Sequence, residues 1–156
     1  MSRNSSAEGP DVRLTIRGIQ TDPEGHTVEN TSVYRARYSR EKGGHVFRYR
    51  EGEEGNPVRS ELFVSRETVR MERGDSGGSP MLFDPSQELT RCDYGTPFGT
   101  IQMEIRTERI SVLDGAGTGR SAGETIRIRA RVQYLLSMDK AWPLRCSVTI
   151  QADPLL

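Results

Sequence analysis

Tyr94-Gly95-Thr96-Pro97-Phe98-Gly99-Thr100-Ile101-Gln102-Met103-Glu104-Ile105-Arg106-Thr107 begins as a turn and ends as a strand. Two glycines and a proline lie between β-like runs, and then Ile101, Met103, Ile105 and Thr107 take one phase while Gln102, Glu104 and Arg106 take the other. A period of two with one apolar phase belongs to an antiparallel strand that is wet on one side. Toward the C-terminus, Ile126, Ile128, Ala130, Val132, Tyr134 and Leu136 alternate with Arg127, Arg129, Arg131 and Gln133, and Leu144, Cys146, Val148 and Ile150 form a last strand before Pro154. Toward the N-terminus, Val12, Leu14 and Ile16 oppose Arg13, Thr15 and Arg17, and Tyr34, Ala36 and Tyr38 oppose Arg35 and Arg37.

Turn residues punctuate these runs. Thr21-Asp22-Pro23-Glu24-Gly25, Lys42-Gly43-Gly44, the loop 52–56, the glycine-rich 74–80, Asp84-Pro85 and the open stretch 114–123 each separate two extended segments. Short strands are predicted near 45–51, 58–65, 67–73, 81–84 and 89–94. With about eight to ten strands, hairpin-sized connections and no convincing amphipathic helix, the chain is expected to be all-β. A single closed antiparallel barrel is favoured over a sandwich, because closure removes the exposed edges of so long a meander. Residues 11–153 form this domain, after a loose, polar N-terminus at 1–10.

Composition agrees. The chain has 156 residues, 33% hydrophobic and 28% charged, which suits one sheet closed on itself better than a layered α/β protein with continuous apolar strands. A chain of this length buries roughly 70% of its unfolded surface, so a real core is available. Basic and acidic residues balance in each half, 13 against 13 in 1–78 and 9 against 9 in 79–156, unlike a nucleic-acid-binding tail. Cys92 and Cys146 fall on apolar phases, as small buried hydrophobes do. No apolar run approaches the ~18 residues of a membrane span and no signal-peptide core is visible, so a cytoplasmic protein is expected.

Val12-x-Leu14-x-Ile16 with Gln20, Tyr49-x-Glu51, Val69-x-Met71-x-Arg73-Gly74, the central Tyr94 to Gly99 and the strand Met103 to Thr107 occur in an order that resembles the YwiB-like family of small uncharacterised proteins. The resemblance runs from about Val12 to Ala152. It implies a calycin-like, lipocalin-like β-barrel in a bacterial cytoplasm, and it carries no established reaction. The loops 52–56 and 114–123 are long for the pattern.

Gly74-Asp75-Ser76-Gly77-Gly78-Ser79-Pro80 reproduces the nucleophile string of chymotrypsin-like proteases, which requires a histidine base and an orienting aspartate. Only His26 and His45 are available, and no aspartate lies between His45 and Asp75, so a plain loop is expected. Asp114-Gly-Ala-Gly-Thr-Gly-Arg-Ser121 imitates a phosphate loop but lacks its first glycine, its lysine and a following helix. Two histidines and two cysteines fit no zinc spacing.

Glu51 shares the phase of Phe47 and Tyr49, and Arg73 that of Val69 and Met71. If both point inward they need partners, each other with tyrosine hydroxyls in attendance, because an unpaired buried charge costs several kcal/mol; if they sit at strand ends, solvent serves instead. The main expectation is a binding module that takes a small apolar or amphipathic ligand at the barrel mouth. Tyr49, Glu51, Arg73, Tyr94 and Thr107 face that ligand, without cofactor, metal, catalytic residue or membrane contact. The alternative is an interaction or nucleic-acid-associated protein that uses outward rows of arginine (Arg35, Arg37, Arg48, Arg50, Arg127, Arg129, Arg131) around a well-filled barrel. Nucleic acid is the less expected partner, because the charges balance. The size of the inward side chains separates the two readings, and Gly18, Ala36 and Ala130 among larger residues leave that open.

Overall fold

The structure is a computed structural model that describes residues 9–51, 58–74, 79–96, 98–114, 126–138 and 143–155. Alternation produces ten strands: β1 (Asp11–Thr21), β2 (Thr27–Glu41), β3 (Gly44–Glu51), β4 (Val58–Val64), β5 (Val69–Arg73), β6 (Met81–Phe83), β7 (Thr90–Thr96), β8 (Gly99–Asp114), β9 (Ile128–Met138) and β10 (Leu144–Pro154). They form one antiparallel sheet in the order β6-β5-β4-β3-β2-β1-β10-β9-β8-β7.

The first and last strands pair along almost their full length, from Val12 opposite Pro154 to Thr21 opposite Arg145. The sheet is therefore nearly closed into a barrel, and its seam lies between β6 and the β7–β8 hairpin. Individual bonds cross that seam. The Thr90 hydroxyl donates to the Leu82 carbonyl at 2.6 Å, the Asp84 amide donates to the Thr107 hydroxyl at 3.1 Å, and the Asp93 amide donates to the Ser79 hydroxyl at 2.8 Å.

The inward phase is filled. Leu14, Phe47, Leu62, Phe83, Ile105 and Ile128, from six different strands, are each at most 1% exposed. The small inward residues Ala36 and Ala130 are buried among them, so they fit the taper of a packed interior. Cys92 and Cys146 are buried and free, and burial pushes the Cys146 thiol up to about 11.

One element departs from the simple alternation. In β8 the rungs to β9 jump from Thr107 opposite Tyr134 to Arg109 opposite Gln133, which leaves Glu108 as the extra residue of a β-bulge. The inward phase accordingly moves from Met103, Ile105 and Thr107 to Ile110 and Val112.

Candidate functional site

The outer faces of β2 to β5 carry an open groove of about 840 Å³, and its described lining includes Arg35, Arg37, Arg48, Arg50 and Arg59 with Asp11, Glu61 and Glu72. Strand pairing places these arginines against one another. Arg13 stands opposite Arg35, Arg37 opposite Arg48, and Arg50 opposite Arg59. Such neighbours repel unless carboxylates intervene. Asp11 accepts from Arg35 at 2.8 Å and from Arg37 at 3.1 Å, and the Arg35 hydrogen bond is the main reason its carboxyl titrates below the usual range. Arg48 reaches Glu61 at 2.8 Å and Glu41 at 3.0 Å. Among the described residues, no carboxylate lies within 4.0 Å of Arg50 or Arg59. Elsewhere on the outer wall the balance is local: Arg17 binds Glu29, Arg91 lies 3.3 Å from Glu104, and Arg129 lies 2.9 Å from Asp153.

Where the groove passes the end of β3, the inward side carries the Glu51 cluster. The Tyr34 hydroxyl donates to one carboxylate oxygen at 3.2 Å, the Ser60 hydroxyl donates to the other at 2.6 Å, and Arg73 Nε lies 3.5 Å from that second oxygen. Tyr34 and Tyr49 stack beside it with ring centroids 4.5 Å apart, and burial raises the Tyr49 phenol well above its ordinary range. The pair lies at the rim: the Arg73 side chain is 46% exposed and that of Glu51 is 23% exposed. Both readings of these two residues therefore contribute, since the phase is inward and the strand end admits solvent.

The other ends of β2, β3 and β8 build a second polar cluster. His45, 5% exposed, sits between Tyr38, whose hydroxyl is 2.8 Å from Nδ1, and Asp114, whose carboxylate is 3.2 Å from Nε2. A neutral ring with its proton on Nε2 satisfies both neighbours, because Nε2–H donates to Asp114 and Nδ1 accepts from Tyr38. Burial holds the imidazole below its ordinary value, against the opposing pull of Asp114. A cavity of about 410 Å³ adjoins this cluster, with Arg40 and Arg66 on its walls. The sequence offered His45 only as a protease base. The signal that was available is the step from Thr107 to Ile110 and Val112, because the bulge it records carries Asp114 onto the inward phase.

Of the five residues expected to face a ligand, Tyr49, Glu51 and Arg73 come together. Thr107 lies in the seam, buried, where its hydroxyl accepts the Asp84 amide. Tyr94 pairs with Ile101 in the β7–β8 ladder, and its side chain lies outside the described residues. The protease-like string falls mostly at 75–78 and the phosphate-loop imitation at 115–121, both outside the described residues. Asp22, Glu24 and His26 bring three ligand-type atoms within 4.8 Å of one another on the β1–β2 turn, where Asp22 Oδ1 already accepts the backbone amides of Glu24 and His26. Among the described residues, no helix is long and apolar enough to cross a membrane.

Comparison with known proteins agrees with this architecture. The crystal structure of ywiB protein from Bacillus subtilis is similar, with a TM-score of 0.70 and 16% sequence identity over 99% of this chain and 100% of that one. At that identity the likeness establishes the fold alone. No curated protein matches. The family described as Domain of unknown function (DUF1934) matches residues 14–150. With that match over most of its length, and with the YwiB-like barrel beneath it, the chain belongs to the DUF1934 family.

Proposed function

We propose that this barrel is a binding module that takes an anionic partner in the groove over β2 to β5. The observation that carries the reading is the alignment of Arg50 with Arg59 at opposed register positions, without a carboxylate partner among the described residues. Two guanidinium groups held side by side repel, and a bound carboxylate or phosphate relieves that repulsion through charge-assisted bonds. The filled interior supports the same reading, because Phe47, Phe83 and their neighbours occupy the volume an enclosed ligand needs.

The test is fluorescence anisotropy with a labelled polyglutamate and a labelled single-stranded oligonucleotide at 50 to ~200 mM salt. One of the two should bind, more weakly as salt rises, and the Arg50→Ala/Arg59→Ala variant should lose about 10-fold in affinity and reduce the salt slope by about 2 for the oligonucleotide. Absence of binding by both probes at low salt overturns the reading.

A second reading is a small, partly apolar ligand at the barrel mouth. The stacked Tyr34 and Tyr49 beside the rim pair of Glu51 and Arg73 favour it, since apolar surface next to a few fixed polar groups is the usual make-up of such sites. Native mass spectrometry of the protein isolated from its own cells separates the two. A stoichiometric small molecule selects the mouth, and an apo mass with anionic material released by salt selects the groove.

A further inference from the structure

One margin of the arginine groove is a strand edge. β2 runs from Thr27 to Glu41, yet its rungs to β3 extend only from Arg37 opposite Arg48 to Glu41 opposite Gly44. Lys42 and Gly43, at φ 53° and 78°, form a two-residue hairpin turn. In such a hairpin the flanking pair, Glu41 and Gly44, exchanges hydrogen bonds, so the odd-numbered residues of β2 direct N–H and C=O toward β3. The even-numbered residues face β1. Tyr38 confirms this, since its amide donates to the Pro10 carbonyl at 3.0 Å and its carbonyl accepts the Gly9 amide at 2.6 Å. Beyond the last rung, the backbone groups of Thr27, Glu29, Thr31, Val33 and Arg35 that face the β3 side have no ladder partner among the described residues. Val33 on this edge is 58% exposed.

An unpaired edge is a template for another strand. Its neighbour here is a groove in which Arg50 and Arg59 have no carboxylate partner among the described residues, so the edge and the groove select for one occupant. We infer that the edge of β2 takes an extended acidic peptide by strand addition, its backbone pairing with Glu29, Thr31 and Val33 and its carboxylates meeting Arg50 and Arg59. This rests on the anionic reading above and adds the class of the partner. A single-stranded nucleic acid has no amide ladder to offer the edge, and it gains little by stacking. Among the described lining residues only Tyr49 is aromatic, and its ring is turned inward onto Tyr34.

The experiment is residue-resolved amide exchange of the full chain, by NMR, with and without an acetylated and amidated (Glu-Thr)5 peptide. Glu29, Thr31 and Val33 should exchange at least about 10-fold more slowly with peptide, while Val28, Asn30 and Ser32, already paired to β1, should not change. Val33→Pro should keep the fold, because its amide makes no ladder bond, and should weaken the peptide about 10-fold or more. Peptide binding that depends on Arg50 and Arg59 without the alternating protection leaves the anionic groove standing and overturns strand addition. Binding of the oligonucleotide but not the peptide overturns the peptide assignment. If no anionic probe binds, both readings fall.

Discussion

His45 is the residue whose environment has the most to say about pH. Tyr38 and Asp114 engage both ring nitrogens, Arg40 adds a cation nearby, and the buried imidazole is held below its ordinary value of 6.5. The unfolded chain therefore binds a proton before the folded one does. Stability present above about pH 6.5 is lost as the pH falls from there through the folded-state pKa of His45. Denaturant midpoints measured from pH 7.5 down to 5 should decline, and His45→Gln should flatten that decline. An unchanged slope in the variant would assign the pH response elsewhere. Glu51 and Arg73 were legible from phase alone because each lies two residues from an inward neighbour on its own strand. His45 was not, because its partner Asp114 lies 69 positions away along the chain and reaches it only through the fold.

Among the elements, β8 depends on its bulge. Glu108 shifts the inward phase by one residue, so Ile110 and Val112 continue the apolar face that Ile105 began. Deleting Glu108 removes the extra residue, so plain alternation from Thr107 keeps Ile110 and Val112 inward and Leu113 outward, and the cost should be confined to the local twist at the lost bulge, about 1 to 2 kcal/mol. Glu108→Ala keeps the backbone count and should stay within about 0.5 kcal/mol of the parent. Thermal melts of the two variants decide whether the residue acts through its presence or through its charge. The hairpin at Lys42 and Gly43 sets the register of β2 on β3 in the same backbone-driven way, and Gly44 is held close beneath the Phe63 ring, 2.7 Å from where a Cβ would sit. Strand identities were readable because alternation is a local signal. The bulge left a mark in the sequence too, as a three-residue interval between Thr107 and Ile110, but strict alternation reads past it.

At the scale of the molecule, closure is uneven. β1 and β10 share a long ladder, whereas β6 and its flanking residues meet β7 and β8 through a few isolated bonds at Thr90, Thr107 and Ser79. Thr90→Val retains shape and removes the donor to the Leu82 carbonyl, so it should cost about 1 kcal/mol and speed amide exchange in β6 and β7 more than in β1 and β10. Uniform acceleration would mean that the seam is no weaker than the rest. The sequence by itself determined the strands, the inward and outward phases, and the all-β barrel class, because period-two patterning and turn chemistry are local and every segment repeats them. Tertiary structure decided which strands close the barrel, that Arg50 lies against Arg59, that the β2 ladder stops at Arg37, and that His45 meets Asp114. Each of these is a register between segments distant in sequence. Register is fixed by how all the inward side chains pack at once, which no single stretch of the chain encodes.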